Sequence, residues 1–240
     1  MEDKELFNDS FIGRVISFSD PDSEWVLVKK LREFNDQSDP GMFLRWPDKP
    51  GGAYGTFLCQ DASSKDKKIM RILMQVPYAG SEIAIHAERA RQARDQRPTA
   101  GQEMLHAYTN LTELGSDFTP RVSERKDGQT SRYRPRSRWT DLYLFLEKLP
   151  GKQLGPWFWD LEREERDRVR EAFESAWTRC CRAGFRPYGW LTRLFWDGDT
   201  NRIDLYNFVE AAKSIPIMSG WTMNGSFGGW WFRPGRIDAF

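Results

Sequence analysis

Residues 183–210 read AGFRPYGWLTRLFWDGDTNRIDLYNFVE, and the reading of this stretch decides the fold. Just before it, Val169, Phe173, Ala176, Trp177, Cys180 and Cys181 recur with the 3.6-residue period of a helix. That stripe predicts a long helix capped by Asp160 and running to Ala183, with Gly184 ending it. A loop follows. Residues 194–196 and 203–206 then read as two brief strands joined through DGDTN, whose Asp-Gly step suits a tight turn.

Working outward, the chain alternates short strand-like runs with breaks. Residues 1–10 read as a loose arm. Apolar runs at 11–18 and 25–31 are separated by SDPDS, and residues 32–53, dense in Asp, Pro and Gly, read as a long loop. Residues 54–59 and 69–76 read as strands around the polar hairpin loop DASSKDKK. The second of these, IMRILMQV, is apolar except for Arg71 and Gln75, and Pro77 ends it. Residues 81–97, rich in Ala, Arg and Glu, read as a helix with Ser81 as cap and Pro98 as terminator. A second helix, 99–114, opens on a Thr99/Gln102 capping box. It carries Met104, Ala107, Tyr108, Leu111 and Leu114 on one face and stops at Gly115. Strands are expected at 121–125 and 141–149. The resulting expectation is an α+β protein: a β-rich part at 11–149 with helices near 81–97 and 99–114, then a reduced helical part at 150–240.

The 240 residues carry a net charge of +1, so no overall field draws the chain to nucleic acid or an anionic surface. The mean hydropathy of −0.69 suits a soluble protein, and the three sparse cysteines read as reduced thiols of a cytoplasmic one. The acidic start MEDKELFNDSF is not a secretory signal, and no apolar run is long enough for a membrane span. Cys59, Cys180 and Cys181 have no zinc spacing, and only His86 and His106 stand beside them, so neither a metal nor a cofactor is expected. Neither histidine belongs to a nucleophile motif, and both read as packing or surface residues. The 11 Trp and 16 Phe are unusual. They read as large core residues, some of which can also wall an apolar ligand cavity. The tail 214–240, with SGWTMNGSFGGWWFRPG, is too apolar for a disordered segment and should pack on something.

The order of elements and the phrases MRILMQVP, FTPRV, LFLEKLPGKQL, FWDLEREERDRVREAF and LFWD resemble a family of small fungal protein-kinase-like proteins over residues 54–210. The resemblance implies a two-lobe kinase-like fold hinged near LEKLPG, with a reduced C-terminal lobe. It also marks positions where phosphoryl-transfer chemistry would sit. Arg71 stands where the pattern has a strand lysine, and Glu103 matches the helix glutamate that would pair with it. Arg186-Pro187-Tyr188 replaces His-x-Asp, Arg193 replaces the metal-binding Asn, and Asn207 aligns with the metal-binding Asp. Tyr188 is a poor base at neutral pH, and Arg193 repels a divalent cation. No glycine-rich phosphate loop with the right spacing precedes the strands.

The resemblance and the losses together imply a kinase-like protein that does not transfer phosphate. One reading is a cleft relined to bind an apolar small molecule, as in a cyclisation or pericyclic step of fungal secondary metabolism. Tyr188, Arg193 and Arg71 would be its hydrogen-bond donors. Glu103, Trp190, Asn207, Trp221, Phe227, Trp230 and Trp231 would line it. Another is a pseudokinase scaffold that contacts a protein partner through the basic loop 125–138 and the helix 81–97. Residual phosphotransfer is a third.

Overall fold

Apolar residues along 51–76 build the centre of a sheet. In the computed structural model, which describes residues 5–129, 140–185 and 194–205, β3 (Gly51–Asp61) and β4 (Lys67–Val76) form an antiparallel hairpin that puts Phe57 opposite Met70 and Thr56 opposite Arg71. Around them lie β1 (Val15–Ser19), β2 (Asp22–Asp36), β5 (Val122–Gln129) and β6 (Thr140–Leu146), in the order β1-β2-β3-β4-β6-β5, all antiparallel. These strands belong to one compact unit, Met1–Gln102 with Val122–Lys148. A second unit comprises Glu103–Arg121 and Leu149–Phe240. The protein is therefore mixed α+β and rich in sheet.

The two faces of the first sheet differ. One carries Ala53, Phe57, Cys59, Met70, Ile72, Met74, Val76 and Phe145 into an aromatic core with Phe18, Trp25 and Leu27. The other carries Tyr54, Thr56, Arg71, Leu73, Gln75, Leu142 and Leu144, all buried. Lys126 Nζ donates to the Ser17 carbonyl at 2.6 Å and Ser23 Oγ to Glu124 Oε2 at 2.9 Å. These bonds tie the β1–β2 hairpin, at one edge, to β5 at the other, so the sheet curls toward a barrel.

Several expectations change. The arm read as loose is packed from Leu6 onward: Phe7 is 1% exposed, and Glu33 Oε1 accepts from the Leu6 and Phe7 amides at 2.5 and 3.1 Å. Residues 32–53 are not one long loop. β2 runs on to Asp36, its alternation disguised by two bulges, and a short helix α1 (Pro40–Arg45) follows, capped by Asp39. The helix expected over 81–97 shrinks to a 3-10 turn at Ser81–Ile83 and α2 (His86–Ala90). It has no continuous apolar face, with Ile83 96% exposed, and the backbone of Arg94 and Gln96 is claimed by the sheet instead. Gln75 Nε2 donates to the Arg94 and Gln96 carbonyls, Gln75 Oε1 accepts from the Arg94 amide, and Gln92 Oε1 accepts from the Tyr78 amide.

α3 (Thr99–Glu113) follows Pro98. Its capping box is replaced by a bond from Gln102 Nε2 to the Arg97 carbonyl. Gly115, at φ +68°, closes the helix with bonds from its own amide to Thr112 and from the Ser116 amide to Leu111. Leu114, read as part of the stripe, lies beyond the last turn and is exposed.

In the second unit α4 (Arg163–Arg182) starts later than expected. Residues Pro156–Asp160 form a 3-10 turn that buries Phe158, and Leu161 and Glu162 are extended, so Asp160 caps nothing. Val169, Phe173, Ala176 and Cys180 are its buried stripe, and Gly184 repeats the glycine closure seen at Gly115. β7 (Lys152–Gln153), β8 (Leu194–Asp197) and β9 (Arg202–Leu205) form a small antiparallel sheet. Gly151 adopts φ +74°, and a Cβ there would collide with the Trp196 carbonyl, so the Pro-Gly step admits glycine alone.

Candidate functional site

Of the residues singled out in the sequence, Arg71 is the one placed most informatively. It sits mid-way along β4, opposite Thr56 on β3 and Leu144 on β6, and is 5% exposed. A guanidinium cannot shed its charge, so burying it demands polar company. Thr56 and Gln75 share its face and are buried with it. Glu103 is half-buried on α3 and belongs to the second unit, whereas Arg71 belongs to the first. Tyr188, Trp190, Arg193, Asn207, Trp221, Phe227, Trp230 and Trp231 lie outside the described residues. So do residues 130–138 of the basic loop. Its opening residues are strand rather than loop: Arg125, Lys126 and Asp127 lie in β5, and Asp127 pairs with Arg97.

Sequence reading missed a buried acid. β9, the strand after LFWD, contains Asp204, which is fully buried and was not among the residues expected at the site, while Asn207, aligned with the metal-binding aspartate, lies outside the described residues. Asp204 Oδ1 accepts from Arg202 Nη2 at 2.6 Å. The signal was present in Ile203-Asp204-Leu205, a carboxylate between two apolar residues on a short strand. The guanidinium two residues earlier in the same strand therefore holds one oxygen of that buried carboxylate.

A groove of about 650 Å³ lies in the second unit between α4 and the β8–β9 turn, lined by Phe118, Ser175, Arg179, Asp197, Thr200 and Arg202 among others. Its charges are already engaged. Arg179 pairs with Asp117 at 2.6 Å and lies over the Phe118 ring, and Thr200 Oγ1 donates to Asp197 Oδ2 at 2.7 Å. Among the described residues no three His, Cys, Asp or Glu side chains are grouped to hold a metal ion. Burial pushes the Cys59 thiol up to about 12 and raises Cys180 as well, so neither is a thiolate nucleophile near neutral pH. His106 packs edge-on against Phe185 and contacts Asn110 Nδ2, a structural placement.

The fold and site define a two-unit α+β protein with a buried arginine at the centre of its larger sheet. No family model matches the chain, and no curated protein matches it. Among solved structures it is similar to the co-crystal structure of WbdD and the kinase inhibitor LY294002, at 15% identity and a TM-score of 0.34. That match covers 65% of this chain and 30% of the other, so the chain spans under a third of the protein it resembles. Among the described residues no helix is long and apolar enough to cross a membrane.

Proposed function

We propose that this chain is a kinase-like protein that does not transfer phosphate and instead binds an apolar small molecule bearing a carbonyl or carboxylate oxygen. Arg71 carries this reading. The resembling pattern has a lysine there, a point charge on a flexible stem that meets nucleotide phosphates. Arg71 places a rigid fork of donors on a face it shares with Tyr54, Thr56, Leu73, Gln75, Leu142 and Leu144. Such a face orients one oxygen and leaves the rest of a ligand against hydrocarbon. The chemistry that fits is positional: a cyclisation or pericyclic step needs reacting ends held together and a donor on the developing oxygen charge.

Thermal unfolding with and without Mg·ATP tests the negative half, since a ligand that binds only the folded state raises its stability. No shift is expected, and clear stabilisation overturns the reading. A panel of aromatic ketones and acids tests the positive half. A stabilising member should lose its effect in Arg71→Met while the variant still unfolds cooperatively.

A second reading, a scaffold for a protein partner, is favoured by one surface. Leu44 and Met42 on α1 and Ile83 and Ile85 beyond β4 are exposed. Their segments are joined by the Phe43–Tyr78 ring contact and the Ala79 amide bond to Ser38. Exposed apolar side chains grouped in this way mark contact surfaces. Ile83→Ser with Ile85→Ser should abolish partner capture without changing unfolding, if this reading holds.

A further inference from the structure

We propose that the exposed apolar face formed by α1 and residues 81–88 is where two copies of this chain join as a two-fold dimer. The inference rests on the reading of that surface as a protein contact, and it names the partner.

Neither helix of this face is anchored by burial. α1 has six residues and α2 has five, and neither helix contains a buried residue. Helices that short are marginal in water unless an apolar side rests on something. Here the apolar side chains point outward: Ile83 is 96% exposed, Leu44 80%, Ile85 66%, Met42 48% and Trp46 39%. Phe43 is half-buried, its ring 4.8 Å from that of Tyr78. The Ala79 amide donates to the Ser38 carbonyl at 2.8 Å and Arg94 Nε to the Pro47 carbonyl at 2.9 Å, so α1 is fixed against the segment that follows β4.

Area and charge both point to a second copy. The five exposed side chains offer on the order of 500 Å² of apolar surface, near the top of what a monomer leaves bare. Two such faces together reach about 1,000 Å², the size at which specific interfaces begin. Met42, Phe43, Arg45 and Trp46 are also residue types that interface centres favour. A two-fold contact matches a surface to itself, so one half of the face has to complement the other. The α1 half ends in exposed cations, Lys49 and Arg45, with the Arg45 guanidinium 4.6 Å from the centre of the Trp46 ring. The 81–88 half carries the exposed acids Glu82 and Glu88, and the next cation, Arg89, is half-buried. The acids beside α1 are spent within the chain: Asp39 Oδ1 accepts from the Met42 amide at 2.8 Å, and Asp48 faces Arg94 at 4.0 Å. A two-fold axis through the face therefore turns Arg45 and Lys49 of each copy toward Glu82 and Glu88 of the other, with the apolar side chains between.

Sedimentation equilibrium of the whole chain, from about 1 to 300 µM, tests this. The mass should climb from 28.1 kDa toward twice that value. A chain that stays monomeric overturns the proposal; if that monomer still captures another protein, the reading of the surface survives without it. Ile83→Ser with Ile85→Ser should weaken association about tenfold or more while unfolding stays cooperative. Association as strong as the parent's overturns the proposal. Charge reversal probes the two-fold arrangement itself, at positions that are exposed. Arg45→Glu and Glu88→Arg should each weaken self-association, because each sets like charges face to face. An equimolar mixture of the two should associate about tenfold more tightly than either variant by itself, since both contacts then join opposite charges. A mixture no tighter than its components also overturns the proposal.

Discussion

The two faces of the larger sheet are both buried, yet they are buried by opposite means. One is hydrocarbon against hydrocarbon, with Phe57, Phe145, Met70 and Ile72 fully enclosed. The other buries Arg71, Thr56 and Gln75 among leucines, and Gln75 spends both ends of its amide on the backbone of Arg94 and Gln96. The first face therefore draws its stability from area and shape. The second draws it from polar groups that would be costly to leave unmet. Stability from apolar area concentrates on the first face, and the buried polar groups lie on the second.

The comparison is most exposed at Phe57. Replacing it with alanine removes a fully buried ring at the centre of the aromatic face and should cost about 3–5 kcal/mol in urea unfolding. Gly55→Ala probes the same face in the opposite sense. Its Cβ would meet the Phe57 ring at 2.6 Å, and overpacking of that kind should cost about 1–3 kcal/mol. On the polar face, Gln75→Ala should cost about 1–2 kcal/mol and speed amide exchange at Arg94, because that backbone loses its partner. If Gln75→Ala costs as much as Phe57→Ala, the distinction between the faces fails. The mildest probe changes no stability. Cys59 lies on the aromatic face with its thiol pushed up to about 12, so at pH 8 it should resist a disulfide reagent until the protein unfolds. The half-buried Cys181 should react first.

Much of the architecture could be read one element at a time. The β3–β4 hairpin follows from polar DASSKDKK between apolar runs, and the β8–β9 hairpin follows from DGDTN. Gly115 and Gly184 mark their helix ends because only a residue free to take positive φ makes those closing bonds cheaply. Where the reading went astray, the deciding partner was distant in sequence. Residues 81–97 have helix-forming composition, but Gln75 holds residues 94 and 96 in a non-helical path. Asp204 escaped notice because a lone carboxylate on a short strand acquires meaning only once its burial is known.

The sequence by itself determined the local grammar: turns, glycine closures, the apolar stripe of α4 and the odd arginine in IMRILMQV. These depend on residues within a turn or two of one another, where propensity and periodicity act. Only the tertiary structure decided that the opening segment is packed into the aromatic core rather than a loose arm, that the sheet curls until Lys126 reaches Ser17, and that Arg71 is buried beside Thr56 and Leu144. Those outcomes rest on contacts between residues far apart in the chain, and burial, unlike local conformation, is a property of what the rest of the chain brings to a side chain.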